Sequence, residues 1–173
     1  NAWNGGGALS HPEILKDIHK QYIKNGAQII ISNTFANCKH TLEDSEQLHN
    51  FRRLNYKGVS IATEARNEEK KLDVLVAASI SYWSFINRHP KLSELGKSIT
   101  EQAFIMKEAG ADLIMLEMMV DIDRMMVVLD SASEANLPVW VGLSCKPNIS
   151  GEMCLLNGEK LSTALNCLKS CKI

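Results

Sequence analysis

The stretch Glu108-Ala109-Gly110-Ala111-Asp112-Leu113-Ile114-Met115-Leu116-Glu117 decides the fold. Ile99, Ala103, Met106 and Ala109 recur at helical spacing and stop at Gly110, the residue type that most readily takes the left-handed turn at a helix end. A run apolar at successive positions follows at once, as in a parallel strand buried on both faces. The same joint stands earlier at Gly26-Ala27-Gln28, between a helix carrying Ile14, Leu15, Ile18 and Tyr22 inward and a β-branched run at 27–32. Ser10, Pro12 and Glu13 supply that helix with a cap, a first-turn proline and a capping box.

Two further apolar runs, 74–79 and 139–144, each follow a helical pattern. One pattern holds Phe51, Leu54, Val59, Ala62 and Ala65; the other holds Ile122, Met125, Met126, Leu129 and Ala132. Four strands alternating with helices make a parallel α/β architecture. A last helix at 159–169, with Leu161, Ala164, Leu165 and Leu168 inward, leads to Cys171-Lys172-Ile173, which reads as the opening of another strand. The first helix has no strand before it. The expectation is one domain over residues 1–173, cut at both ends.

Composition narrows the function classes. The 173 residues carry Lys+Arg 19 against Asp+Glu 20, a net charge of -1, with 45% hydrophobic residues. Such a chain can bury a core without disulfide or metal staples. Its charge balance argues against phosphate neutralisation on nucleic acid. The richest apolar segment, 113–120, is interrupted by Glu117 and falls short of the roughly 18 residues of a membrane span. Asn1-Ala2-Trp3-Asn4-Gly5-Gly6-Gly7 has no export pattern, and five cysteines without a CxxC pair fit a reduced interior, so the expected compartment is the cytoplasm.

In a parallel α/β sheet, ligands gather at the carboxyl ends of the strands. Those ends read Ser32-Asn33-Thr34-Phe35, Ser79-Ile80-Ser81-Tyr82, Glu117-Met118-Met119 and Ser144-Cys145-Lys146. Glu117 directly follows an apolar run, where an acid is costly unless it meets a cation, a hydrogen-bond network or a ligand. A structural ion pair with a neighbouring lysine or arginine and a ligand ammonium both answer that need. Asn33-Thr34 serves equally as a strand-closing turn or a helix cap. Met118, Met119, Met125 and Met126 read as core filler, and His19 and His40 as surface residues. Phosphate-cradling and nucleophile-elbow sequences are absent.

Taken together, these segments resemble the homocysteine S-methyltransferase family. His11-Pro12-Glu13 with His19, Tyr22 and Gly26-Ala27 is similar to its helix before the second strand, and Ser32-Asn33-Thr34-Phe35 to its TNTF signature. Leu54-Asn55 with Ala62 and Glu64-Ala65-Arg66, then Ala77-Ala78-Ser79-Ile80, match its next helix and strand. Glu108 to Ile114 with Leu116-Glu117 looks like EAGaDli.lE. The resemblance implies a (β/α)8 TIM barrel, represented by an incomplete chain with about strands two to five and the start of the sixth.

It implies methyl transfer from a sulfonium or quaternary ammonium donor to the thiol of homocysteine, forming methionine. Homocysteine and the donor are the implied partners; oligomerisation stays open. Glu117 matches the family's acid that holds the amino group, and Asn33, Thr34 and Phe35 match the loop lining the same pocket. Ser79 and Ser144 are the weaker candidates at neighbouring strand ends. No general base is expected, because coordination to Zn²⁺ deprotonates a thiol. The expected cysteine ligands, in GxNC and GGCC motifs, are absent from this sequence, and Cys38 and Cys145 match none of them. A noncatalytic amino-acid-binding or partner-binding fragment, and a complete flavodoxin-like sheet, are the competing readings.

Overall fold

The computed structural model describes residues 6–84, 86 and 88–170. A short helix α1 (Gly7–Ser10) leads into α2 (Pro12–Lys24) and β1 (Ile29–Ile31). Then come α3 (Lys39–Asp44), a 3-10 turn, α4 (Phe51–Glu68), β2 (Leu75–Ile80), α5 (Leu92–Glu108), β3 (Leu113–Met119), α6 (Ile122–Ser133) and β4 (Val139–Leu143). A hairpin, β5 (Cys145–Pro147) with β6 (Met153–Leu155), precedes α7 (Leu161–Ser170). The four strands expected from the sequence pair in parallel in the order β1-β2-β3-β4. Gly26 and Gly110 close their helices at φ 94 and 95, where a Cβ is disfavoured, so the two joints are the same device used twice.

The strand order excludes the flavodoxin-like alternative. A doubly wound sheet reverses direction at a switch point, whereas this one advances one strand at a time. Right-handed crossovers then place α4, α5 and α6 on the same face. Packing shows it: Ile30, Val76, Ala78, Ile80, Ile114 and Leu116 join one core with Val59, Ile99, Met106, Met125 and Val128 of the helices. The alternate residues face the other way, and among them Ile31, Leu75 and Trp140 are exposed.

Several expectations need correction. Helix α2 starts one residue after its cap His11, with no side-chain cap; Ser10 instead ends α1 and its hydroxyl donates to Gly6 O at 3.0 Å. The stripe expected to point inward on α2 is mostly exposed, Ile14 at 60% and Tyr22 at 64%, while His19 and Ile23 are buried. Leu15, Ile18 and Tyr22 line, with Ile29, Ile30 and Ile31, a cavity of about 610 Å³ beside the edge of β1 that no described strand pairs. Leu165 of α7 is also exposed. His19 and His40, read as surface residues, are both buried. The strand opening at Cys171-Lys172-Ile173 lies outside the described residues. No helix among them is long and apolar enough to cross a membrane.

Gly58 sits where α4 meets the chain leaving β1. A Cβ there would lie 2.5 Å from Thr34 Cγ2 and 3.3 Å from Asn33 O. Thr34 cannot swing away without losing the bond its hydroxyl donates to Ser79 O at 2.7 Å. Gly58→Ala therefore costs about 1–3 kcal/mol, read as a lowered urea midpoint. Burial holds the imidazoles of His19 and His40 below their ordinary range. The unfolded chain then takes up protons more readily below about 6.5, so their contribution is intact above that pH and is lost on acidification. The urea midpoint falls between pH 7.5 and 5.5, and replacing both histidines with glutamine flattens that fall.

Candidate functional site

Because all four strands run the same way, their carboxyl ends form one rim. Ser32 lies just past β1 and donates its amide to Ala77 O at 2.9 Å, carrying the β1 to β2 ladder one residue further. Its hydroxyl lies 2.8 Å from Thr34 Oγ1 and accepts from the Ser79 amide at 3.3 Å. Thr34 Oγ1 donates to Ser79 O at 2.7 Å. Ser79 in turn donates its hydroxyl to Glu117 Oε1 at 2.5 Å. Thr34 from the turn beyond β1, Ser79 from β2 and Glu117 from β3 are thus joined by one chain of hydrogen bonds. Ser32, Thr34 and Ser79 are buried and Glu117 is half-buried.

Glu117 faces the open side by regular alternation, and an irregularity in β3 follows it directly. Leu116 pairs with Val141 and Met119 with Leu143, so β3 spends one residue more than β4 over this interval. That is a β-bulge, and Met118 occupies it at φ 56, a left-handed conformation that non-glycine residues avoid. The extra residue returns Met119 to the core face, where it is fully buried. Glu117 stays on the face that the helices leave open. Gly142 on β4 lies alongside, and a Cβ there would come within 3.1 Å of Leu116 O.

The ion pair that would give Glu117 a purely structural role is absent among the described residues; its carboxylate is held by the Ser79 hydroxyl alone among them. Arg66 is engaged with Asp112 at 2.5 Å and Arg124 with Asp121 at 2.6 Å. Asn33 is exposed beside Gly7, and Phe35 is half-buried. Ser144 contributes its main chain: its amide donates to Met119 O at 3.0 Å and its carbonyl accepts from Leu156 N at 3.0 Å. The Asn33-Thr34 segment does close a turn, with Asn37 N donating to Thr34 O at 3.0 Å, while its threonine hydroxyl faces β2.

Two loops flank this rim. His40 Nε2 bonds Tyr82 O at 3.1 Å and Thr41 donates to Trp83 O at 2.9 Å. Arg88 reaches Glu43 and Asp44. Tyr82 was visible in sequence only as the last residue of a strand end, and Ser32 only as the neighbour of Asn33. Small hydroxyl residues at the end of an apolar run were the available signal for Ser32; a left-handed methionine leaves none.

A metal fits the described residues poorly. No three His, Cys, Asp or Glu side chains among them converge to hold one. Cys38 is buried against Thr41 Oγ1 at 3.0 Å and His40 Nε2 at 3.5 Å, and burial pushes its thiol up, away from the thiolate that a metal requires. Cys145 is half-buried on the β5 hairpin strand.

Comparison with known proteins gives the site a context. Homocysteine S-methyltransferase 2 of Arabidopsis thaliana is 25% identical over 98% of this chain and 59% of its own length. Methionine synthase of Mycobacterium tuberculosis is 25% identical over 92% of this chain and 14% of its own. The oxidised form of the homocysteine methyltransferase MmuM from Escherichia coli superposes with a TM-score of 0.81, at 19% identity, over 98% of this chain and 62% of that one. A metallated form of the same protein gives 0.80. The chain thus spans less than two thirds of the length of these relatives. The family model described as homocysteine S-methyltransferase matches residues 2–173, and the chain belongs to that family.

Proposed function

We propose that this chain forms the homocysteine-binding wall of a thiol methyltransferase, as strands two to five of a (β/α)8 barrel. The observation that carries the reading is the carboxylate of Glu117, half-buried at the strand rim and held by Ser79 without a basic partner among the described residues. Such an acid is complementary to an α-ammonium group, because a charge-assisted hydrogen bond there replaces water around a carboxylate already partly desolvated. Thr34 and Ser79 keep the three strand ends in register, and Asn33 and Phe35 complete the corner beside them.

In the proposed reaction the thiol of homocysteine first gives up its proton to solvent, and the thiolate sulfur attacks the methyl carbon of a sulfonium or quaternary ammonium donor. The S–C bond forms as the donor's bond to methyl breaks; the donor leaves neutral at that atom, and methionine results. Seating the amino acid by its ammonium end fixes where its thiol lies, which supplies the alignment a displacement needs. Zinc belongs to this reading only through the family. The described residues do not furnish a metal site, so the share assigned to Glu117, Ser79 and Thr34 is recognition and orientation. The alternative in which the chain binds an amino acid without turnover differs from this one by product formation.

Calorimetric titration with homocysteine and with 4-mercaptobutanoate, the same thiol and carboxylate without the amino group, tests the reading. Glu117→Gln keeps an acceptor for Ser79 but removes the charge. It weakens homocysteine binding by about 10- to 100-fold, the worth of one hydrogen bond to a charged group, and leaves the deaminated thiol unchanged. Equal losses for both thiols overturn the assignment. Methionine formed from homocysteine and S-methylmethionine or betaine distinguishes a transferase from a binding fragment.

A further inference from the structure

Ser79 holds the carboxylate of Glu117, and the bulge that follows at Met118 has a restraint of its own. A left-handed non-glycine residue persists only where its surroundings over-determine it. On the far side of Met118 the chain is gripped by one side chain from β2's end. Tyr82 Oη accepts from the Val120 amide at 2.8 Å and from the Asp121 amide at 3.2 Å, and lies 3.4 Å from Asp121 O, to which it donates. The ring is buried, and the Arg124 guanidinium lies 5.9 Å from its centroid while pairing with Asp121 at 2.6 Å. The Tyr82 carbonyl is tied back to α3 by His40. The segment running from Ser79 to Tyr82 therefore grips β3 at two points that bracket the bulge.

We infer that Tyr82 is a positioning residue for Glu117: its hydroxyl clamps the chain leaving the bulge and thereby sets the reach of the carboxylate toward the substrate's ammonium group. The inference rests on the reading of Glu117 as the ammonium acceptor and goes beyond it, since Tyr82 itself touches no reacting atom. Removing the hydroxyl frees two amides and loosens the backbone just past Met118, so the reach of the neighbouring Glu117 carboxylate at the rim is no longer fixed. The consequence is selective. Recognition of the amino group suffers, whereas packing of the thiol and carbon chain does not.

The test compares the preference for homocysteine over 4-mercaptobutanoate in the unaltered protein, Tyr82→Phe, Glu117→Gln and the double variant. Tyr82→Phe lowers the preference about tenfold, leaves binding of the deaminated thiol in place, and adds nothing once Glu117 is glutamine. Weakening of both thiols by the same factor, or additive losses in the double variant, overturns the inference and makes Tyr82 a general packing residue. A preference that survives Tyr82→Phe overturns it while leaving the functional reading intact; absence of any preference in the unaltered protein overturns both. Amide exchange in the unaltered protein decides independently of how the variant folds. The Val120 and Asp121 amides are protected, and homocysteine extends protection to Met118; rapid exchange at 120 and 121 overturns the clamp.

Discussion

A parallel strand can be followed by another only through a crossover, and the handedness of that crossover is all but obligatory. Here the crossovers advance in one direction, so the helices cover one face and the other stays open. The rest of the molecule follows from that constraint. Helix-facing residues at alternate strand positions are large and apolar, while the opposite positions can become polar near the carboxyl ends without damaging the core. Ser79 and Glu117 occupy such positions, one strand apart, and Thr34 reaches them from the turn beyond β1.

The arrangement places a carboxylate where its charge has neither full solvation nor, among the described residues, a permanent counter-ion. Partly buried ion pairs elsewhere show the contrast. Asp112 accepts from Arg66 at 2.5 Å and from the Val76 amide at 2.7 Å, and so closes the amino-terminal end of the sheet. Asp121 is bound to Arg124 and caps α6 through the Arg124 amide at 2.9 Å. These acids have their partners within the chain. Among the described residues Glu117 has a single hydroxyl partner, which orients a carboxylate without neutralising it. An orienting contact leaves the charge available to an incoming cation, whereas an ion pair would have to be broken first.

Much of the framework was legible because it rests on short-range signals. Gly26 and Gly110 mark helix ends through their backbone freedom, and the inward stripes of α4 and α5 follow from apolar spacing alone. Helix α2 shows the limit of that method. Its apolar stripe exists, but it looks across the edge of β1 that no described strand pairs, and periodicity says which face is apolar without saying what covers it. His19 and His40 were misplaced for a related reason: side-chain type favours the surface, yet His40 is drawn inward by the carbonyl of Tyr82 from a loop far away in sequence. The β5 and β6 hairpin was missed although Asn148, whose Oδ1 accepts from the Ser150 and Glu152 amides, is a common turn former.

At the site, residue types were readable and their geometry was not. Glu117 after an apolar run, and hydroxyl residues at strand ends, identify themselves by chemistry. Whether they meet depends on register, and just past Glu117 the register shifts at an inserted residue that has no compositional mark. A regular β3 would turn Met119 to the open face and break the helix-side packing that it completes. The bulge therefore reconciles two demands on one strand, a core position at 119 and an acid at the rim at 117. The cost of a left-handed Met118 falls on the contacts around it, which is why residues on the neighbouring strand, rather than on β3 itself, hold the acid in place.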